Sequence, residues 1–240
     1  VKKNDILVDK LFENSFPLKE VCDAYFGIQT FDRTKFVSDI NIDENYRPII
    51  DGTNIEPYFL KEAIEYVNFI PKAIKSGGKE FIYLKNRICV RQIGKTPIAT
   101  FVKSGIFTLN TIYNIYVRDN QKAELYFLLG IINSKLLKFY WVNKNYDHKE
   151  TFPKVKKESL LNIPINLDLS KTEDKAKHDK LVQLVEQMLQ SKQQLQTEKI
   201  EKNKNYLEQK CTNLDRQIDN LVYELYNLTE DEIKIIENSN

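Results

Sequence analysis

Between Phe81 and Val117 the chain reads FIYLKNRICVRQIGKTPIATFVKSGIFTLNTIYNIYV. β-Branched and aromatic residues dominate it, and the run is cut at Lys85-Asn86, Gly94-Lys95 and Ser104-Gly105. A stretch punctuated in that way predicts four short strands joined by tight turns. Ile88, Val90, Ile98, Phe101, Ile115 and Val117 supply the apolar positions of a half-buried sheet. Arg87, Arg91, Lys95 and Lys103 give that sheet basic rims, which either block edge-to-edge pairing or face a ligand.

Charge distribution favours the ligand. The 240 residues carry a formal net charge of only +2, but residues 61–157 hold about +11, flanked by about −4 before and about −5 after. A basic middle between acidic flanks is the footprint of a polyanion partner, most often nucleic acid. The chain is long enough for one large domain or two smaller ones.

Other classes find little support. Cys22, Cys89 and Cys211 are three, far apart and without CxxC spacing, so they read as reduced thiols in a cytoplasmic protein. His148 and His178 are the only histidines and have no Cys or His cluster beside them, which leaves no zinc site. The apolar run Leu125 to Val142 is broken by Asn133-Ser134-Lys135 and Lys138, which makes it a buried helix and not a membrane span. Val1 opens the chain in polar text without a methionine, so a fragment of a longer protein is expected.

In order along the chain, Leu18 to Phe26 predicts a short helix stopped by Gly27. Asp51-Gly52-Thr53-Asn54-Ile55 follows a strand and predicts a turn of residues that tolerate left-handed backbone. In IPKAIKSGGK, residues 70–79, Lys72, Lys75 and Lys79 surround a flexible Ser76-Gly77-Gly78 turn whose amides are able to close on a phosphate. Gln121 to Trp141 predicts one helix lying on the back of the sheet. VNKNYDHKETF, residues 142–152, has no apolar period, and Asn143, Lys144, Tyr146 and Lys149 suit base edges and phosphates as well as they suit a solvated loop.

From Lys171 the text turns helical. Leu207, Cys211, Leu214, Ile218, Leu221 and Leu225 repeat at alternating spacings of four and three, which predicts two helices breaking near Lys202–Asn205 and pairing as a hairpin or coiled coil. Thr229 with Glu232 three residues on is a capping box for a final helix from Asp231 to Glu237. The expected fold class is therefore α+β, a mixed β-sheet domain over residues 1–168 followed by a long helical hairpin or coiled-coil arm over 169–240.

No GxSxG, HExxH or GxGxxG motif is present. Asp51 with Glu56, or Glu80 with Lys85, is a nuclease centre only on paper, and binding is the expected activity.

Five stretches in order resemble the TaqI-like C-terminal specificity domain of bacterial N6-adenine DNA methyltransferases in restriction-modification systems. They are Asp51 to Ile55 with Tyr58; Ile88 to Gly94; Thr108 to Tyr113; Tyr126 to Leu136; and Phe152 to Val155 running to Ile165. The tail from Ile218 to Thr229 also resembles the ending of these enzymes. The resemblance implies a target-recognition domain for double-stranded DNA, a scaffold role for Gly52, Gly94, Asn133 and Ser134, and an S-adenosylmethionine-binding methyltransferase domain or subunit elsewhere. The Asn-Pro-Pro-Tyr type motif of that domain is absent, so this fragment is expected to be non-enzymatic and to bind no cofactor. Reading residues differ between family members, so candidates come from charge and loop position: Lys72, Lys75, Lys79, Lys95, Lys103, Lys144 and Lys149 on phosphates, Arg91 and Gln92 on base edges with a strand-end salt bridge as the competing role of Arg91, Asn143 on base edges or phosphates, and Tyr146 stacking or wedging. The alternative is a protein-interaction module acting through the helical arm, with a partner subunit; an RNA-binding surface at Phe107, Tyr113 and Tyr116 lacks an RNP-like pattern.

Overall fold

The structure, a computed structural model, describes residues 3–118, 124–145 and 153–239. Its strands are β1 Phe16–Pro17, β2 Cys22–Phe26, β3 Gln29–Thr30, β4 Val37–Ser38, β5 Tyr46–Ile50, β6 Ile55–Glu56, β7 Phe59–Leu60, β8 Glu65–Asn68, β9 Ile74–Ser76, β10 Arg87–Arg91, β11 Ala99–Val102, β12 Phe107–Thr108, β13 Ile112–Val117 and β14 Pro164–Ile165. Its helices are α1 Lys3–Lys10, α2 Arg33–Phe36, α3 Leu125–Asn133, α4 Lys135–Lys144, α5 Lys157–Leu161, α6 Thr172–Thr197, α7 Glu201–Leu225 and α8 Glu230–Glu237. The class is α+β, as the residue pattern predicts.

Two four-stranded sheets organise the first part, in the orders β11-β10-β13-β2 and β12-β5-β8-β4. In the first, Ile88 stands opposite Phe101 and Ile115, and Ile115 opposite Ala24, so one apolar row crosses the sheet. That face meets α3, whose Phe127, Ile131 and Ile132 share the largest core cluster with Leu136 and Trp141 of α4. Alternation puts Cys89, Thr100, Asn114 and Tyr25 on the reverse face. There Asn114 is a buried hub, receiving the Arg87 Nε–H at 2.7 Å and donating to Thr108 Oγ1 at 2.8 Å, which fastens β12 and its sheet to the first.

Several expectations are corrected. Leu18–Glu20 is a single 3-10 turn and Cys22–Phe26 a strand, because Cys22 and Ala24 bury alternately against β13. Gly27 ends no helix: a Cβ on it would lie 2.0 Å from the Leu109 carbonyl oxygen, so glycine is required for close chain approach. Glu80–Ile82 is a 3-10 turn, and β12 leaves the first sheet to pair in parallel with β5. Arg87 belongs to no rim; it is fully buried, bonded to the carbonyls of Lys85, Lys103 and Ile106, with its guanidinium 5.5 Å from the Tyr83 ring centroid. In Asp51–Ile55 the turn is a 3-10 helix with an Asp51–Asn54 capping box, and the left-handed residue is Tyr58, at φ +60°.

The expected single helix breaks at Ser134, where α3 and α4 diverge by 61°. Ser134 caps α4 by accepting from the Leu137 N–H, and the Asn133 amide takes both backbone groups of Ala99, at 3.1 and 3.0 Å, on the edge of β11, where the Tyr58 N–H reaches the same carbonyl at 3.1 Å. Among the described residues no single helix is long and apolar enough to cross a membrane.

The arm folds back on itself, but its break is at Glu198–Ile200, earlier than the polar text suggests, because the Glu198 carboxylate receives the N–H groups of Lys199 and Ile200. Helix α6 lies against α3 at Gly130, where a Cβ would sit 3.0 Å from Leu181 and Val185 methyl carbons. Leu181, Val185, Ile218 and Val222 thereby share one core cluster with the sheet. The final helix carries the expected Thr229–Glu232 capping box.

Candidate nucleic-acid interface

The candidate site forms where the β10–β11 turn is held by the chain returning from α4. Arg91 pairs with Ile112, and the Gln92 N–H donates to the Thr111 carbonyl at 2.9 Å. Val155 N–H donates to the Gln92 carbonyl at 2.8 Å, Gly94 N–H to that of Pro153 at 2.9 Å, and Ile93 bridges Lys154. These main-chain bonds tie down a turn whose side chains Arg91, Lys95 and Lys154 stay at least partly open to solvent.

A second segment reaches the same end of the sheet. Gly27 N–H bonds Ile112, and Gly77, at φ +78°, packs on Gly27 so tightly that a Cβ would stand 2.3 Å from its carbonyl oxygen. Tyr83 adds a hydroxyl bond to the Gly77 carbonyl at 2.7 Å. The Ser76-Gly77-Gly78 turn is consequently pinned, which replaces the flexible loop expected from its glycines. Lys72, Lys75 and Lys79 are exposed around it, and Lys79 Nζ lies 5.1 Å from the Tyr25 ring centroid.

The remaining candidates are dispersed. Lys103 is exposed at the far end of the β10–β11 hairpin, roughly 25 Å from Lys95 by strand rise. Asn143 is committed, accepting from Asn4 at 3.0 Å and donating to the Phe139 carbonyl at 2.8 Å. Lys144 is exposed in the last turn of α4, while Tyr146 and Lys149 lie outside the described residues. The Gln92 amide nitrogen is enclosed and has no hydrogen-bond partner among the described residues.

Electrostatics separates two sets of cations. Lys10, Arg33, Lys35, Lys61, Lys135, Lys171, Lys177 and Lys234 each hold a carboxylate. Lys72, Lys75, Lys79, Arg91, Lys95, Lys103, Lys144, Lys154 and Lys157 have no ion pair among the described residues. Unneutralised cations repel one another, an arrangement suited to an external anion. Lys154, Lys157 and Phe26 are additions that sequence reasoning missed. Phe26 was hidden by the helical reading of its strand, although the alternation of Cys22, Ala24 and Phe26 signals the period.

Among the described residues no catalytic grouping assembles around them. The Asp51 carboxylate is occupied by Thr53, and Glu56 pairs with Lys61 at 2.7 Å. Among the described residues no three His, Cys, Asp or Glu gather as metal ligands. Burial pushes the Cys22 thiol up to about 12 and that of Cys89 up to about 11, which leaves neither a ready nucleophile.

The fold and the basic sheet end accord with a specificity domain of the restriction-modification kind, which the match over residues 47–165 supports. Residues 47–165 match the family model of the TaqI-like C-terminal specificity domain. The type IIL restriction-modification enzyme MmeI, solved in complex with DNA, is similar in fold, with a TM-score of 0.58 at 10% identity over 93% of this chain and 36% of that one. The type IIG restriction endonuclease BpuSI gives 0.51 at 12% over 94% and 34%. The HsdS subunit from Thermoanaerobacter tengcongensis gives 0.46 at 14% over 92% and 50%. The chain spans half or less of the length of these structures. No curated protein matches it significantly.

Proposed function

We propose that this chain is the sequence-specific double-stranded DNA recognition module of a restriction-modification N6-adenine methyltransferase, acting in the cytoplasm. The observation that carries the reading is the gathering of Lys75, Lys79, Arg91, Lys95 and Lys154 at one end of the sheet without carboxylate partners among the described residues. The lysines neutralise phosphates and set the register of the duplex, and Arg91 reads a guanine edge through its paired N–H donors. Gln92 joins in reading adenine once its enclosed amide rotates outward.

Methyl transfer belongs to another domain or subunit. The residues here do not fit S-adenosylmethionine: the sequence holds neither GxGxxG nor an Asn-Pro-Pro-Tyr motif, and no step is assigned to that cofactor on this chain. A second contact, with a partner subunit, is favoured by Ile200 and Tyr206, which are 60% and 65% exposed near the bend of the helical arm.

The test is duplex binding by fluorescence anisotropy across a salt series. Logarithmic affinity is expected to fall steeply with logarithmic salt, with a slope of about −0.9 for each phosphate neutralised. Absent or salt-insensitive binding overturns the proposal and favours the interaction module.

A further inference from the structure

The β2 edge carries a feature that phosphate binding alone does not use. Tyr25 and Phe26 are consecutive and so point to opposite faces of the sheet. Each lies beneath a lysine: Lys79 Nζ is 5.1 Å from the Tyr25 ring centroid, and Lys157 Nζ is 5.6 Å from that of Phe26. Phe26 is 40% exposed, yet it is held on one side by Tyr113, its cross-strand partner, with ring centroids 5.1 Å apart. It stands one residue from Gly27, whose N–H bonds Ile112, so it belongs to the same sheet end as Arg91 and the Gly94 turn.

A single exposed phenylalanine is ordinary on a protein surface. What is unusual here is its surround, because Lys79, Lys154 and Lys157 have no carboxylate among the described residues. An ordinary apolar protein patch would leave those ammonium groups desolvated and unpaired. A DNA duplex satisfies both requirements, offering phosphates to the lysines and the C5-methyl group of thymine as the apolar contact of the major groove. Cation–π contact also restrains each lysine stem, so less rotamer freedom is lost when its ammonium reaches a phosphate.

We infer that Phe26 is a specificity-determining residue that contacts a thymine methyl group, flanked by Lys157 and Lys79 as phosphate contacts on either side of the edge strand. The inference rests on the proposed DNA-recognition function and adds to it a base contact that no charge pattern marks.

The experiment starts from selection of bound duplexes out of a randomised pool by the full chain, followed by anisotropy on the selected duplex. Each thymine is then replaced singly by uracil, which removes only the methyl group. One replacement is expected to weaken the wild-type chain about fivefold and to leave Phe26→Ala unaffected. Phe26→Ala is expected to lose about tenfold on the selected duplex, with an unchanged salt slope and unchanged binding to random duplex. Phe26→Leu, which keeps apolar bulk and guards against a folding artefact, restores part of the loss. Lys157→Gln is expected to reduce the salt slope by about one. Selection of no motif by the wild-type chain sinks the recognition function itself. A selected motif indifferent to every thymine-to-uracil change, or read equally by Phe26→Ala, overturns the Phe26 assignment alone.

Discussion

The Asp219 carboxylate, on α7, accepts the main-chain N–H of Lys135 at 2.8 Å and so caps the first turn of α4 from 84 positions away in sequence. Its second oxygen is buried without a partner among the described residues. Burial is the main reason that its pKa is pushed up from 3.8 to about 6, with the negative charge of Asp215 adding to it against the favourable Lys135 N–H. Because the folded value lies above the unfolded one, the native state binds the extra proton. The stabilisation is complete below 3.8 and is lost as pH rises through about 6. Asp219→Asn keeps an acceptor for Lys135 and removes the titration. Urea unfolding at several pH values is expected to show the variant gaining on wild type by roughly 2 kcal/mol between pH 4 and pH 7. A difference independent of pH would show that Asp219 does not titrate in this range.

Neighbouring glycines should respond in opposite ways. Gly27→Ala drives a methyl carbon into the Leu109 backbone and is expected to cost more than about 3 kcal/mol. Gly78→Ala meets nothing nearer than an Ile74 methyl carbon at 3.5 Å and is not in the left-handed region. A gain of about 0.4–1 kcal/mol is expected from restricting the unfolded chain. Thermal unfolding of the two variants checks the pair, and a harmless Gly27→Ala would refute the close approach of β2 to β12.

The dispersal of the lysines predicts unequal contributions to binding. Alanine at Lys75, Lys79 and Lys95 together is expected to lower the salt slope by about 3, since all three stand near one sheet end. Alanine at Lys103, at the far end of the hairpin, is expected to leave the slope unchanged. If Lys103 matters as much as the others, the duplex must lie along the hairpin and not across its end.

Removing residues 171–240 should not yield a smaller folded particle. Leu181 and Val185 cover Gly130, and Met188 and Ile218 belong to the same cluster as Phe127 and Ile131. Their loss exposes a contiguous apolar face, so aggregation or loss of near-ultraviolet circular dichroism is expected. A monomeric, cooperatively unfolding truncation product in the ultracentrifuge would show instead that the arm is a dispensable appendage.

The residue pattern shows best where a single period acts alone. The 207–225 stripe and the Thr229–Glu232 box specify their helices because each signal is local. Leu18 to Phe26 misleads because its apolar residues fit a helical face, and only pairing with β13, nearly ninety positions later, makes it a strand. Arg87 misleads in another way: a cation in sequence looks like surface, but Asn114 and three distant carbonyls satisfy it inside. The basic middle segment was legible from charge. Which of its lysines stand together was not, because the Gly27–Gly77 contact and the Gly94–Pro153 bond that gather them join remote parts of the chain.

The Asn133 side chain, by occupying the donor and acceptor of Ala99, imitates one rung of a fifth strand. An incoming chain therefore finds no free rung at that position from which to start a cross-molecular ladder, and a crowded solution of this protein is guarded there against sheet-to-sheet polymerisation by a side-chain amide together with the Tyr58 N–H, which bonds the same carbonyl at 3.1 Å.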